Sequence, residues 1–203
     1  GEVVDVNLES STIEAEASAF FALGAVNSQL RDLYVQALDG TLSPSSINSP
    51  SRGQRPPPNA TSTGLAATLS RFTSLLTWLD PNLAAALSAK GVDPAHYLLK
   101  WLTTLFANEF SFPDLLKIWD RIVSFYPSSI AVNEPESISS LTAHCLDISL
   151  AMVIMERPSL VSPYTSFEKV IKILQDPQIE GAGVDRLLFI AYDIRQRRLG
   201  RPS

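Results

Sequence analysis

Residues Gly91 to Arg121 read GVDPAHYLLKWLTTLFANEFSFPDLLKIWDR. This stretch decides the fold class. Its apolar residues recur at the helical period, which predicts two amphipathic helices joined by a short turn at Glu109 to Pro113. Asp93 is placed to cap the first helix, with Pro94 at its favoured opening position, and the helix is expected to run from Pro94 to Asn108. Pro113 likewise opens the second, which is expected to reach Phe125 and close at Tyr126-Pro127. Trp101, Phe110 and Trp119 are spaced to meet between the two helices.

Working outward, Glu14 to Leu38 reads as a long helix with an apolar stripe of Ala17, Phe20, Phe21, Gly24, Val26, Leu30, Leu33 and Leu38. Ser11 and Thr12 can cap it, and Gly40 stops it. Thr41 to Gly64 is rich in Ser, Pro, Asn, Thr and Gly and contains Pro56-Pro57-Pro58. It lacks the apolar residues that would compensate the entropy of ordering it, so it reads as a disordered Pro/Ser-rich insertion at 41–64. Further helices are predicted over Leu65–Leu79, Asn82–Ala89, Pro135 or Ser137 to Glu156, Tyr164–Gln175 and Val184–Arg197. No segment alternates in the manner of a strand. The expected fold is all-α, a multi-helix antiparallel array with short connections.

Composition narrows the function classes. The chain has 203 residues, 45% of them hydrophobic, with a mean hydropathy of +0.11, enough for one sizeable core. A net charge of −5 and a pI near 5.0 argue against a broad nucleic-acid footprint. The single cysteine, Cys145, excludes an internal disulfide. No apolar run is long enough to span a bilayer, and the first residues do not form a signal peptide. With no initiator Met, the sequence is expected to be cut from a longer chain. The sequon Asn59-Ala60-Thr61 falls in the insertion.

The constellation Tyr97, Lys100, Trp101, Leu102, Leu105, Phe106, Glu109, Phe110, followed by Trp119-Asp120, resembles the C-terminal part of the TBC domain, the family of Rab GTPase-activating proteins. Glu14-Ala15-Glu16-Ala17-Ser18-Ala19-Phe20-Phe21 is similar to that family's acidic Phe-Phe helix. The resemblance spans about Glu14 to Arg197 and is most specific between Asp93 and Asp120. One departure stands out: the family usually has Arg where this chain has Lys100, and Lys cannot make the forked contact of a guanidinium.

The resemblance implies that residues 1–203 are the C-terminal TBC subdomain. It implies a regulator of a GTPase rather than an enzyme with its own substrate. The partners would be a Rab-type small GTPase and the N-terminal half of the same TBC domain, in vesicle trafficking. The location would be cytoplasmic, with the periphery of endomembranes as one place for it. The family's two fingers are an Arg, within I-x-x-D-x-x-R, and a Gln, within Y-x-Q. An Arg finger is worth about 10³ to 10⁵ in rate. Both motifs belong upstream of the Phe-Phe helix, so no catalytic residue is assigned here. Phe20, Phe21, Tyr97, Lys100, Trp101, Glu109, Phe110, Trp119 and Asp120 are signature residues with a mostly structural role. The fragment would then serve as scaffold and as part of the Rab-binding surface. The alternative is a non-catalytic helical module that binds a small GTPase or adaptor.

Two look-alikes are set aside. Tyr34-Val35-Gln36 matches Y-x-Q in letters but follows the start of the Phe-Phe helix and lacks the glycine after it. Ile190 to Gln196 nearly matches I-x-x-D-x-x-R but ends in Gln196. Arg195, Arg197 and Arg198 read instead as cations near a helix C-terminus, part of a solvated basic end. His144 and Asp147 share a helical face while Cys145 points about 100° away, and two ligands do not make a zinc site, so neither metal nor cofactor is expected. Trp101 and Trp119 read as core residues rather than a ligand cage, and Lys100 as the partner of a carboxylate on the facing helix.

Overall fold

The computed structural model describes residues 11–28, 64–124 and 140–200. All regular structure among the described residues is helical. The expected 41–64 insertion lies outside them except for Gly64, as do the expected helical residues 29–38 and 135–139.

Helix α1 covers 11–28. It stands off the body: only Ala25 and Val26 are half-buried, and Val26 packs against the core. Helix α2 (Leu65–Leu79) follows Gly64, whose positive φ of 77° suits a residue without a Cβ. Thr68 sends both its backbone N–H and its hydroxyl to the Gly64 carbonyl, which ties down the first turn. Phe72 and Leu76 then face inward.

Asp80 serves two helices. It ends α2, and its side chain accepts from the Leu83 N–H to cap α3 (Pro81–Ala89), with Pro81 at the first position. Asp80 also receives the Arg157 guanidinium, which fastens the α2–α3 corner to α7 (Arg157–Val161). That short helix is not evident in the sequence, where Arg157-Pro158 reads as a stop. Here the proline sits at the start of a helix, where its missing N–H costs nothing. Lys90 holds the other end of α7 by donating to the carbonyls of Leu160 (2.6 Å) and Ser162 (2.8 Å).

The single helix expected over Pro94–Asn108 is two elements. A 3-10 turn occupies Pro94–His96, capped by Asp93. Tyr97 breaks it (φ −132°, ψ −41°), and α4 spans only Leu98–Thr104. Leu105 and Phe106 then adopt positive φ, 49° and 66°, so the chain leaves the helix four residues early. Helix α5 covers Phe112–Ser124, with Leu115, Ile118 and Ile122 inward.

Helix α6 (Ser140–Met155) is the centre of the molecule. Residues 141–153 are buried on every side. A helix buried all round is an interior element, and Thr142, His144, Asp147 and Ser149 are buried with its apolar residues. It packs most extensively against α9 (Ala182–Leu199) and also meets α2, α4, α5 and α7. Helix α8 (Phe167–Gln175) is capped by Ser166 rather than beginning at Tyr164, which is almost fully exposed.

Candidate functional site

Of the residues that the sequence marks as a signature, Lys100, Trp101, Glu109, Phe110 and Trp119 gather at the turn between α4 and α5, while Phe20, Phe21 and Asp120 do not. Left-handed backbone costs a residue with a Cβ roughly 1–2 kcal/mol, and this turn holds two in succession. The Phe106 N–H donates to the Trp101 carbonyl (3.0 Å) and the Leu105 N–H to that of Leu102 (3.4 Å), a Schellman-type ending without its usual glycine. Three features hold it. Phe106 is fully buried. The indole N–H of Trp119 reaches back from α5 to the Leu105 carbonyl (2.9 Å). Glu109, with no exposed side-chain surface, lies 2.9 Å from Lys100 Nζ and accepts weakly from the Thr104 hydroxyl (3.5 Å). The Lys100–Glu109 contact is a charge pair without hydrogen-bond alignment at Oε1.

Lys100 is thus structural, but its carboxylate lies in the turn and not on the facing helix. Its ammonium also donates to the Gln175 carbonyl (3.0 Å), where a cation suits the C-terminal end of α8. Gln175 returns a bond from its side chain to the His96 carbonyl (3.1 Å). One lysine therefore ties α4, the turn and α8 together. Lys supplies the charge, and no fork is used.

Trp101 and Tyr97 are buried with ring centroids 4.9 Å apart, and Phe110 is buried beside them in the core. Burial raises the Tyr97 phenol above its ordinary range. Trp119 differs from expectation. It is 37% exposed, because its α5 face lies beside the core rather than within it. Asp120 is exposed, and Phe20 and Phe21 stand 73% exposed on α1, packed edge-to-face on each other.

Asp114, in the first turn of α5, is the second anchor. It accepts from the Gly181 N–H (3.0 Å) and the Ser111 hydroxyl (3.2 Å), with Lys117 3.4 Å away. The Gly181 bond is the main reason that its carboxyl lies below the usual range. Gly181 has φ 52° and opens α9, so this bond sets the start of α9 against the start of α5.

The basic end of α9 is not a solvated tail. Arg198 makes a two-pronged contact with Asp147 of α6 (2.9 and 3.1 Å), and the two side chains are 8% and 2% exposed. Burial pushes the Asp147 carboxyl up, against the pull of the Arg71 charge, and burial and then the Arg71 charge push the Arg198 guanidinium down to about 10. The Arg195 guanidinium lies against the His144 ring. Arg197 alone of the three behaves as read, pairing along the surface with Asp193 (2.9 Å). Sequence did hold a hint of this network: a charged Asp147 inside the most apolar stretch requires a partner from elsewhere. Cys145 is fully buried, and burial pushes its thiol up to about 12. Among the described residues no group of His, Cys, Asp and Glu is arranged to hold a metal. No described helix is long and apolar enough to cross a membrane.

The sequence matches the Rab-GTPase-TBC domain over residues 58–161, just over half of the chain and including the whole signature turn. The chain belongs to this family. Among TBC relatives, a TBC domain-containing protein of Schizosaccharomyces pombe is 26% identical over 161 residues, covering 79% of this chain and 23% of that protein. Human TBC1 domain family member 13 is 25% identical over 108 residues, which are 53% of this chain and 22% of that protein. The chain thus spans less than a quarter of the length of these relatives. The crystal structure of the Ypt/Rab-GAP domain of Gyp1p superposes with a TM-score of 0.55 at 18% identity, covering 66% of this chain and 38% of that one. That likeness establishes the all-α TBC fold.

Proposed function

We propose that this TBC chain is the C-terminal helical half of a Rab GTPase-activating protein. It would support the catalytic half and supply part of the surface that meets the GTPase. The observation that carries this reading is the family match over residues 58–161 together with the way the signature residues brace one strained turn. A brace of this kind suits a scaffold: Lys100, Glu109 and Trp119 set the relative pose of α4, α5 and α8.

Among the described residues the one look-alike segment is not placed as a finger. The Ile190–Gln196 segment lies on α9, with the half-buried Arg195 set against the His144 ring. Tyr34-Val35-Gln36 lies outside the described residues. The Arg and Gln fingers are therefore proposed to come from sequence upstream, and the Rab and the N-terminal half of the domain are the proposed partners.

The test is single-turnover GTP hydrolysis across a panel of Rab GTPases. The parent protein extended upstream is compared with this chain alone. Stimulation by the extended protein only is the expected result. Stimulation by this chain at catalytic amounts would overturn the scaffold reading. Silence from both, with retention of a Rab in pull-down, would point to a binding module.

A further inference from the structure

Among the described residues no carboxylate pairs with Lys90, although the side chain is half-buried at the end of α3. Its ammonium is held by carbonyls alone, those of Leu160 (2.6 Å) and Ser162 (2.8 Å). An ammonium has three N–H groups, so these two bonds leave one to spare. The carboxylates of this corner, Asp80 and Glu156, sit at the opposite end of α7, where Asp80 holds Arg157. A half-buried cation with a spare donor and no opposing charge is the setting in which an added anion is favoured.

One of the residues that Lys90 holds carries a hydroxyl and precedes a proline. Ser162 to Thr165 form a turn closed by the Thr165 N–H on the Ser162 carbonyl (3.2 Å), with Pro163 at the second position, which it favours. The Ser162 hydroxyl accepts only a long bond from the Tyr164 N–H (3.4 Å). Both oxygens of Ser162 thus face the N–H groups of one turn, and Lys90 sits at the carbonyl. Ser162 is half-buried, but Pro163 and Tyr164 are exposed, Tyr164 to 93%. Ser162 already has the extended backbone (φ −54°, ψ 129°) that a residue before proline prefers. Presenting it to an enzyme means opening an exposed turn and not a helix.

We propose that Ser162 is a phosphorylation site for a proline-directed serine kinase, with Lys90 as the cation that receives the phosphate. In the transfer the Ser162 hydroxyl oxygen attacks the γ-phosphorus of ATP. The new O–P bond forms as the bond from that phosphorus to the bridging β–γ oxygen breaks. ADP leaves, and the hydroxyl proton passes to the base of the kinase. The product carries about two negative charges and three acceptor oxygens. Two donors stand ready for them. One is the spare N–H of Lys90. The other is the Tyr164 N–H, which exchanges a long bond to a hydroxyl for a charge-assisted one. Lys90 keeps its two carbonyl bonds, so the modification adds an ion pair to the joint between α3 and α7 and tightens it.

The test uses the 203-residue chain with Ser43→Ala and Ser49→Ala, which removes the other Ser-Pro pairs of the sequence. An active mitogen-activated protein kinase with magnesium and ATP should add a phosphate that fragment mass spectrometry maps to Ser162. Ser162→Ala should abolish it. Absence of phosphate at Ser162 would overturn the proposal. Phosphorus NMR of the product then reads the role of Lys90 directly. The phosphoserine resonance should titrate about 0.5 pH unit or more below that of a phosphoserine peptide of the same local sequence. A resonance that titrates with the peptide would overturn the proposal, because the phosphate would then have no cation beside it. Hydrogen exchange is the independent measure. The amides of 159–165 should exchange about threefold slower or more after phosphorylation, and Lys90→Gln should remove that slowing. Equal slowing in Lys90→Gln would overturn the assignment of Lys90.

Discussion

The Trp119 indole N–H donates to the Leu105 carbonyl across 2.9 Å, so a residue of α5 fixes the backbone of a turn fourteen residues earlier. Leu105 occupies left-handed space that most side chains avoid, and the bond is one of the few interactions that specify it. Trp119→Phe keeps the ring and removes the donor. It should cost about 1 kcal/mol in urea unfolding, the ordinary net worth of such a bond. A change within error would mean that the turn is held by Phe106 burial alone.

Lys100 and Glu109 make a second prediction. Lys100→Met strips the buried Glu109 carboxylate of its cation and leaves the Gln175 carbonyl without its donor. The expected loss is about 2 kcal/mol, the cost of a charged hydrogen-bonding group left uncompensated. Lys100→Arg keeps the charge and should stay within about 0.5 kcal/mol, because the site uses one charge and no fork. If Arg proved much more stabilising, the guanidinium would have a contact that the lysine lacks.

The Asp147–Arg198 pair should show strong non-additivity. Removing either partner leaves the other charge buried, and Asp147→Asn or Arg198→Met should each cost about 3–5 kcal/mol. The double variant Asp147→Leu with Arg198→Met removes both charges and should lose much less than the sum. Additive losses in a double-mutant cycle would show that the pair is not coupled.

Asp80 predicts a pH dependence. The bond from Arg157, then the Leu83 N–H, hold its carboxyl below the usual range. A depressed folded pKa gives stability that is present above the unfolded value of about 3.9 and is lost as pH falls through the folded one. Unfolding measured from pH 6 down to pH 2 should therefore steepen below about pH 4. Asp80→Ala should flatten that limb and cost about 1 kcal/mol at neutral pH through the lost α3 cap. An acid limb unchanged by the substitution would assign the effect to other carboxylates, Asp114 first.

Tyr97 carries a buried hydroxyl that has no hydrogen-bond partner among the described residues. A desolvated group without a partner is a net cost. Tyr97→Phe should be neutral or stabilising by up to about 1 kcal/mol in thermal or urea unfolding. A loss beyond 1 kcal/mol would show that the hydroxyl is satisfied.

Much of the fold was legible because it rests on periodicity. The two-helix reading around Glu109–Pro113 and the α2, α3, α8 and α9 segments follow from apolar spacing and from caps such as Asp80 and Ser166. The misreadings share one cause. The short α7, the early end of α4 and the inward turn of Arg195 and Arg198 depend on partners distant in sequence. Lys90 holds α7, Trp119 holds Leu105, and Asp147 draws in Arg198 across 51 residues. No local window contains such a bond.

The sequence by itself determined the fold class, the helices with strong periodicity, and the family, because apolar spacing and the Trp–Glu-Phe–Trp-Asp pattern are properties of neighbouring residues. Tertiary structure alone decided which of those residues are buried and what they hold. Trp101 lies within the core and Trp119 at its edge, although both sit on apolar stripes. A helix has one stripe in its sequence, but how much of that stripe faces the core depends on how the neighbouring helices pack around it.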